Sequence, residues 1–594
     1  MALNIEDYAM ISDCHTAALV GRDGSIDWLC MPRYDSASMF GALLGDKDHG
    51  RWLLAPEDEN ATCTRSYVGD TFILKTVWTT DSGEVEVLDF MPHRDDHPDV
   101  VRIVRGVSGT VAMRQDLRIR FGYAEAIPWV RQLTDQPTPT LVAVAGPDGV
   151  VVRGPQLEPV DFGHVSRFTV EPDETIDIHL AWFDSYREIP EPTDVDVARK
   201  DSAEWWKNWA QMCDHDGPYH DEIVRSMLVL RALSNEQTGG IVAAATTSLP
   251  EQFGGSRNWD YRYVWLRDAS LTLSALLAHG YDDEAEAWRL WLLRAVAGDP
   301  EDVQIMYGIA GERHLPEREL DSLPGYRGAA PVRVGNGAVG QFQADIIGEV
   351  MVALHEAREA GVKETEYSWP LQVALMSYLE EHGERPDQGI WEMRGEPRQF
   401  THSRVMVWAA FDRAVRAVTE FGLDGPLDRW TAHRDTVRRT IEEHGFDTER
   451  NTYTQFFGSA EVDASLLVLA HVGFCEPGDP RMLGTVAAIE EDLLEDGLLM
   501  RYRTRSSTDG LAPGENAFLA CSFWLVAQYA NSGRLDEAKA LMDRLVGFAN
   551  DVGLLSEEYD VKGARQAGNT PQAFSHLALV RAADAILAAG ADDR

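Results

Sequence analysis

Arg257-Asn258-Trp259-Asp260-Tyr261-Arg262-Tyr263-Val264-Trp265-Leu266-Arg267-Asp268-Ala269 runs directly into Leu271, Leu273, Leu276 and Leu277. The first part interleaves aromatic and charged side chains, and the second has the spacing of a helix with one apolar face. A core strand does not carry that many charges, because a buried charge is costly unless it is paired. A solvated loop does not carry that many rings. Two readings stay open at this point. The rings, with Arg and Asp beside them, suit a flat, hydroxyl-rich ligand, and they equally suit an aromatic–charge brace between helices.

Outward from this stretch, the pattern is helical from Tyr219 to the end of the chain. Twelve segments are predicted, near 219–234, 268–279, 282–298, 339–360, 367–382, 401–420, 426–444, 460–472, 480–493, 514–532, 535–549 and 571–589. Connections after the even-numbered segments are short, as at Gly280-Tyr281 and Ser532-Gly533. Those after the first, third, fifth, ninth and eleventh are long, the third running from about Gly298 to Gly337. Successive antiparallel helices put odd and even connections at opposite ends, so the long loops share one end. Long loops are usually functional, and chemistry is expected there. Six helical hairpins closed on themselves give an (α/α)6 barrel, although no strong internal repeat marks the closure.

Upstream, short β-prone runs alternate with Gly, Pro and Asp punctuation. Thr16–Val20 and Ile26–Cys30 flank Gly21-Arg22-Asp23-Gly24-Ser25, and Thr71–Thr80 and Glu84–Met91 flank Asp81-Ser82-Gly83. Further runs at 100–107, 111–121, 140–145, 150–152, 168–170 and 176–183 predict an antiparallel β-sandwich. The expected organisation is a β-sandwich over 1–195, a helical linker over 196–218 and a catalytic helical domain over 219–594.

A net charge of −43 repels nucleic acid and anionic membranes, so a neutral small molecule is the expected partner. Cys14, Cys30, Cys63, Cys213, Cys475 and Cys521 have neither CxxC nor Cys/His spacing. Disulfides and zinc are therefore not expected, and a reducing compartment is. His314 and His402 have no paired carboxylate spacing and read as packing or supporting groups. The start of the chain shows no basic and apolar leader, and no apolar run approaches membrane-spanning length. A cytoplasmic protein without cofactor or metal is expected, and no feature bears on oligomeric state.

The long loops also carry acids beside aromatics and glycines: Gly389-Ile390-Trp391-Glu392-Met393-Arg394 and Leu554-Leu555-Ser556-Glu557-Glu558-Tyr559-Asp560. Cleaving a glycosidic bond needs one protonated carboxyl and one ionised carboxylate, and two acids from separate loops at one mouth could supply them. Gln343 and Asp345 open a predicted helix with polar side chains where ligand contact and ordinary capping are both possible. Arg501-Tyr502 and Glu515 are further polar candidates.

Taken together, these stretches resemble glycoside hydrolase family 15, the glucoamylase family, in its bacterial two-domain form. Asp13–Val20, Gly24–Cys30 with Pro32-Arg33, Arg257–Ala269, Tyr326–Gly328, Gln341–Glu349, Trp391-Glu392, Thr401–Ser403 and Ser556–Asp560 follow in family order. The resemblance implies a β-supersandwich followed by an (α/α)6 barrel. It implies that Glu392 is the general acid and Glu557 the general base, with Arg267 and Asp268 gripping the hydroxyls of the terminal glucose beside Trp265. Arg501 resembles an arginine near the leaving-group sugar. Trp259, Trp391, Gln343, Asp345 and Glu558 complete the expected substrate contacts. Adjacent side chains point different ways, so the motif assigns the base to Glu557 rather than Glu558.

Met393 stands where fungal members carry a second Glu, and no starch-binding module is visible. The expectation is an exo-acting, inverting α-glucosidase on small α-glucosides such as isomaltose-type sugars or trehalose. The alternatives are a glucan 1,4-α-glucosidase on maltooligosaccharides or starch, an inverting disaccharide phosphorylase, and an inactive sugar-binding protein.

Overall fold

Strands occupy the chain up to Asp184 and helices dominate from Val195 onward in the computed structural model, which describes residues 2–93, 97–504 and 509–592. Two antiparallel sheets of eight strands each form the first unit. One runs from the Tyr8–Ser12 edge through Ala17–Gly21, Ser25–Cys30, Arg51–Pro56, Val111–Arg118 and Gly163–Val170. The other is centred on Thr175–Asp184 and Asp99–Gly109. Leu54, Met113 and Leu117 of the first sheet and Val85, Val87 and Val104 of the second join one continuous core.

Tyr8–Ser12, Ala17–Gly21 and Ser25–Cys30 are buried at every position. Their outer face lies against the helical unit, where Trp28 Nε1 donates to the Ala245 carbonyl at 2.9 Å. A strand buried on both sides loses the alternation of a half-exposed one. Tyr8–Ser12 is therefore a strand that periodicity does not predict. The polar edge strand Thr62–Tyr67, exposed along much of its length, is missed for the opposite reason.

Helix α1 (Val195–Ala210) connects the units, capped by the Asp194 side chain accepting from the Val197 N–H. Twelve helices follow. The inner ring is α3 (Leu266–Ala278), α5 (Asp345–Glu359), α7 (Thr401–Phe421), α9 (Val468–His471), α11 (Leu519–Asn531) and α13 (Ala573–Asp592). α3, α5, α7 and α9 pack in succession, the 3₁₀ turn Ala464–Leu467 leading into α9 carries the contact to α11, and α11 packs on α13, which returns to α3, so the ring closes into an (α/α)6 barrel. The outer helices are α2 (His220–Ala232), α4 (Asp282–Ala295), α6 (Ser368–His382), α8 (Leu427–His444), α10 (Pro480–Leu493) and α12 (Leu535–Val546). Burial separates the rings: most of α5 is buried, whereas α8 buries only Trp430 and Ile441.

Two expectations need correction. The eighth predicted helix, 460–472, shortens to α9 preceded by the 3₁₀ turn Ala464–Leu467, because Asp463 caps that turn through the Ser465 N–H. The expectation that no apolar run reaches membrane length overlooks α13, whose Ala573–Ala591 segment is long and apolar enough to cross a membrane. Its place in the inner ring accounts for this, since a helix surrounded by other helices is apolar on most sides.

Candidate active site

The stretch 257–263 is extended and splits by alternation. Its backbone pairs with residues 243–248: the Ala244 N–H donates to Tyr261 O at 2.9 Å and the Ser248 N–H to Trp259 O at 2.8 Å. In an extended chain successive side chains face opposite ways. Arg257, Trp259 and Tyr261 face a cleft at the long-loop end of the barrel. Asp260 and Arg262 point the other way and are fully buried. Arg262 makes a bidentate pair with Asp260 at 2.8 and 2.7 Å and donates to Ser36 O and Tyr123 Oη, each at 2.8 Å. One face of the stretch lines the cleft, and the other is a brace, though to the sandwich rather than between two helices.

At the start of α3, Arg267 Nε donates to Asp268 Oδ1 at 2.6 Å and one Arg267 NH group to Ile390 O at 2.8 Å. Both side chains face the cleft with Trp265. Glu392 follows Gly389 in a turn closed by its own N–H on Gly389 O at 3.1 Å, and it adopts a left-handed φ of 56°. A non-glycine residue there costs of order ~1 kcal/mol and persists only when its surroundings hold it. Gln341 Nε2 does so, donating to the carbonyls of Glu392 and Met393 at 3.2 Å. The turn aims Glu392 into the cleft, where Trp265 Nε1 donates to Oε1 at 2.6 Å. Burial raises the Glu392 carboxyl above its ordinary value, with the Arg267 charge opposing the shift.

Glu557 is fully buried behind the cleft wall. Tyr261 Oη donates to its Oε1 at 2.6 Å and the Asn569 N–H to its Oε2 at 3.3 Å. The Tyr261 ring meets the Trp265 ring edge-on at 5.5 Å, so Tyr261 and Trp265 together span the cleft floor between the two acids. Burial, and then the Glu251 charge, push Glu557 up to about 8. Carboxylate oxygens of Glu251, Glu557 and Glu558 lie within 4.8 Å of one another. Arg501 donates to Glu251 at 2.9 Å and Glu515 at 2.6 Å. So many buried acids around Arg501 retain a proton near neutrality. Two donors favour the ionised form of Glu557, whereas Glu558 Oε1 has no hydrogen-bond donor, so the proton sits best on the Glu558 side. The three acids could gather a cation, but Arg501 already supplies positive charge there.

Of the residues expected from sequence, Trp259, Trp265, Arg267, Asp268, Trp391, Glu392 and Arg501 line the cleft. Trp391 Nε1 donates to Asp463 Oδ2 at 3.1 Å, which fixes the indole on the wall. Gln343, Asp345, Glu557 and Glu558 are corrections, because they stand behind the wall rather than on it, Glu557 reaching the cleft only through the Tyr261 hydroxyl. Gln343 bonds Gln341 at 3.1 Å and so braces the Glu392 turn. Asp345 is fully buried at the start of α5 with both carboxylate oxygens unpartnered. Burial and Asp387 push it up to about 7, with Arg267 opposing. Glu558 Oε2 accepts from the Asn516 N–H at 2.9 Å, locked in the strand Glu558–Asp560.

Tyr261 and Glu251 are site residues that the sequence reading did not single out. Alternation in an extended 257–263 could have marked Tyr261. Glu251 had no such signal, since it lies in an irregular segment after Pro250.

Residues 217–584 match the family described as glycosyl hydrolases family 15, and residues 1–158 match the trehalase-like N-terminal domain. The chain is 36% identical to a trehalase of Mycobacterium tuberculosis over 97% of this chain and 89% of that one. It is 34% identical to a trehalase of Thermoplasma volcanium over 98% and 93% respectively. Among solved structures, a bacterial glucoamylase complexed with acarbose superposes with a TM-score of 0.73 at 14% identity, covering 99% of this chain and 94% of that one. That likeness is one of fold.

Proposed function

The chain belongs to glycosyl hydrolase family 15, and from that premise we propose that it hydrolyses α,α-trehalose with inversion at the attacked carbon. It is a glycoside hydrolase whose substrate is a small sugar. In this reading Arg267 and Asp268 hold the hydroxyls of one glucose in the cleft. Glu392, kept protonated by its partly buried setting, donates to the glycosidic oxygen. Glu557 takes a proton from water attacking the opposite face. An inverting pair leaves room for that water, with carboxyls about 6.5–9.5 Å apart. The observation that supports the reading is the chain of contacts Glu392–Trp265–Tyr261–Glu557, in which Glu392 and the two rings line the cleft and Glu557 lies directly behind the Tyr261 hydroxyl, which must turn aside to admit the water.

Trehalose is favoured over longer glucans by two observations. Relatives named trehalase, from bacteria and archaea, match over nearly the whole chain. In addition, Arg394 narrows the side of the cleft beyond Glu392. It lies over the Trp259 ring at 4.3 Å, pinned by Glu317 at 2.7 Å, and its backbone N–H donates to Asp509 O at 2.9 Å. A narrowed cleft suits one further glucose better than a glucan chain.

The test is a panel of trehalose, maltose, isomaltose and soluble starch, with the product anomers followed by NMR. Trehalose is expected to be cleaved fastest and to release α- and β-glucose in equal initial amounts. Glu392→Gln is expected to lower the rate by about 10²–10⁴-fold. Release of α-glucose alone, or faster cleavage of maltose than of trehalose, overturns the reading.

A further inference from the structure

Cys213, His215 and His220 lie on or beside the link from α1 to α2, His279 directly follows α3, and Asp584 lies on α13. The other end of α3 carries Arg267 and Asp268, so this cluster is roughly 18 Å from the cleft along the helix axis. We propose that His215, His279 and Asp584 form a binding site for a divalent transition ion of the zinc class.

Tautomers carry the argument. His215 Nε2 lies 3.1 Å from Pro218 O. A carbonyl only accepts, so Nε2 bears the hydrogen. In a neutral ring that leaves the bare lone pair of Nδ1 directed at Asp584 Oδ1, 3.5 Å away. A lone pair facing a carboxylate oxygen is repulsive, and a cation bound between the two removes that repulsion. His279 Nε2 is hydrogen-bonded to the other Asp584 oxygen at 3.2 Å, an ion pair that a bound metal would replace, while its Nδ1 faces the Cys213 thiol at 3.9 Å.

Donor atoms of the three residues lie within 4.8 Å of one another. Ligands about 2.0–2.1 Å from a tetrahedral ion stand about 3.3 Å apart, and each ring nitrogen is that far from one Asp584 oxygen, His215 from Oδ1 and His279 from Oδ2, so a small turn of the carboxylate brings one oxygen to both. An outward ring nitrogen bonded to a carbonyl or similar group is how metal-binding histidines are usually oriented. His215 is fixed further by its own carbonyl, which accepts from His220 Nδ1 at 2.8 Å. Both rings are buried, and the Asp584 side chain is 37% exposed, which gives an entry path and a fourth position for water. Bound there, the ion would staple the connector between the two units to the inner ring.

The experiment uses the full chain, stripped with a chelator and titrated with Co²⁺ and Zn²⁺. One equivalent of Co²⁺ is expected to give the visible absorption of a four-coordinate site, and Zn²⁺ to displace it and raise Tm. Asp584→Asn and His279→Gln, checked for native far-UV circular dichroism, are expected to weaken binding at least tenfold. Glu251→Gln, which alters the acidic group beside the cleft, is expected to leave the spectrum unchanged. Three results overturn the proposal: no four-coordinate Co²⁺ spectrum in the wild-type chain, a spectrum that survives in both triad variants, or one lost with Glu251→Gln. The first result rests on the wild-type chain alone, so the proposal stays testable even if a variant fails to fold.

Discussion

At the residue scale, the charge state of Glu557 is set by neighbours distant in the chain. Glu251 raises its pKa across a gap that Arg501 only partly neutralises. The sign of the consequence is definite. Glu251→Gln removes a negative charge, so Glu557 gives up its proton at lower pH. A base must be ionised to work, and the acidic limb of kcat/KM is therefore expected to move toward lower pH in this variant. A pH–rate profile on trehalose checks this, and a limb that stays in place or moves upward contradicts the coupling. Glu392 titrates in the opposite sense: as the proposed acid it must stay protonated, so its raised pKa is expected to extend activity toward alkaline pH.

At the element scale, α5 and α7 approach closely because α5 carries Gly348 where they cross. A Cβ built there would lie 2.4 Å from the Met406 carbonyl oxygen, a backbone atom that cannot swing away. Intrinsic propensity favours alanine over glycine in a helix by about 1 kcal/mol. Overpacking costs about 1–3 kcal/mol, and here it wins. Gly348→Ala is expected to destabilise the chain by that order in urea unfolding. A more stable variant would show that the two helices can separate without loss. The helices themselves were legible from period and loop length, because each buries one face locally. Their order in the inner ring follows from the long-loop, short-loop alternation. The length of α9 was not legible, because its start is decided by Asp463, which caps the turn and also receives Trp391 from another loop.

At the scale of the whole molecule, the two units are joined through buried polar groups as well as apolar surface. Arg262 comes from the barrel and donates to Ser36 and Tyr123 of the sandwich while paired with Asp260. Removing one partner of a buried pair leaves the other charged in a dry setting, typically at a cost of about 3–5 kcal/mol. Arg262→Ala is expected to lose stability on that scale, measured by urea denaturation. A loss below about 1 kcal/mol would show that the interface is held by its apolar contacts alone. The same join hides the first strand, Tyr8–Ser12, since a surface covered on both sides carries no exposed polar residues to mark its period.

The sequence by itself determined the succession of a strand-rich unit and a helical barrel, and the end of that barrel where long loops gather. Side-chain period, turn residues and connection length are local properties, and these features need nothing else. It also marked Glu392 and Glu557 as acids beside aromatics in long loops. Only the tertiary structure decided which side of the 257–263 strand faces the cleft and which binds the sandwich. It also set Gln343, Asp345, Glu557 and Glu558 behind the wall, and it brought His215, His279 and Asp584 together from three distant segments. Burial, charge coupling and hydrogen-bond partners depend on what lies across space, and residues hundreds of positions apart do not reveal that in one dimension.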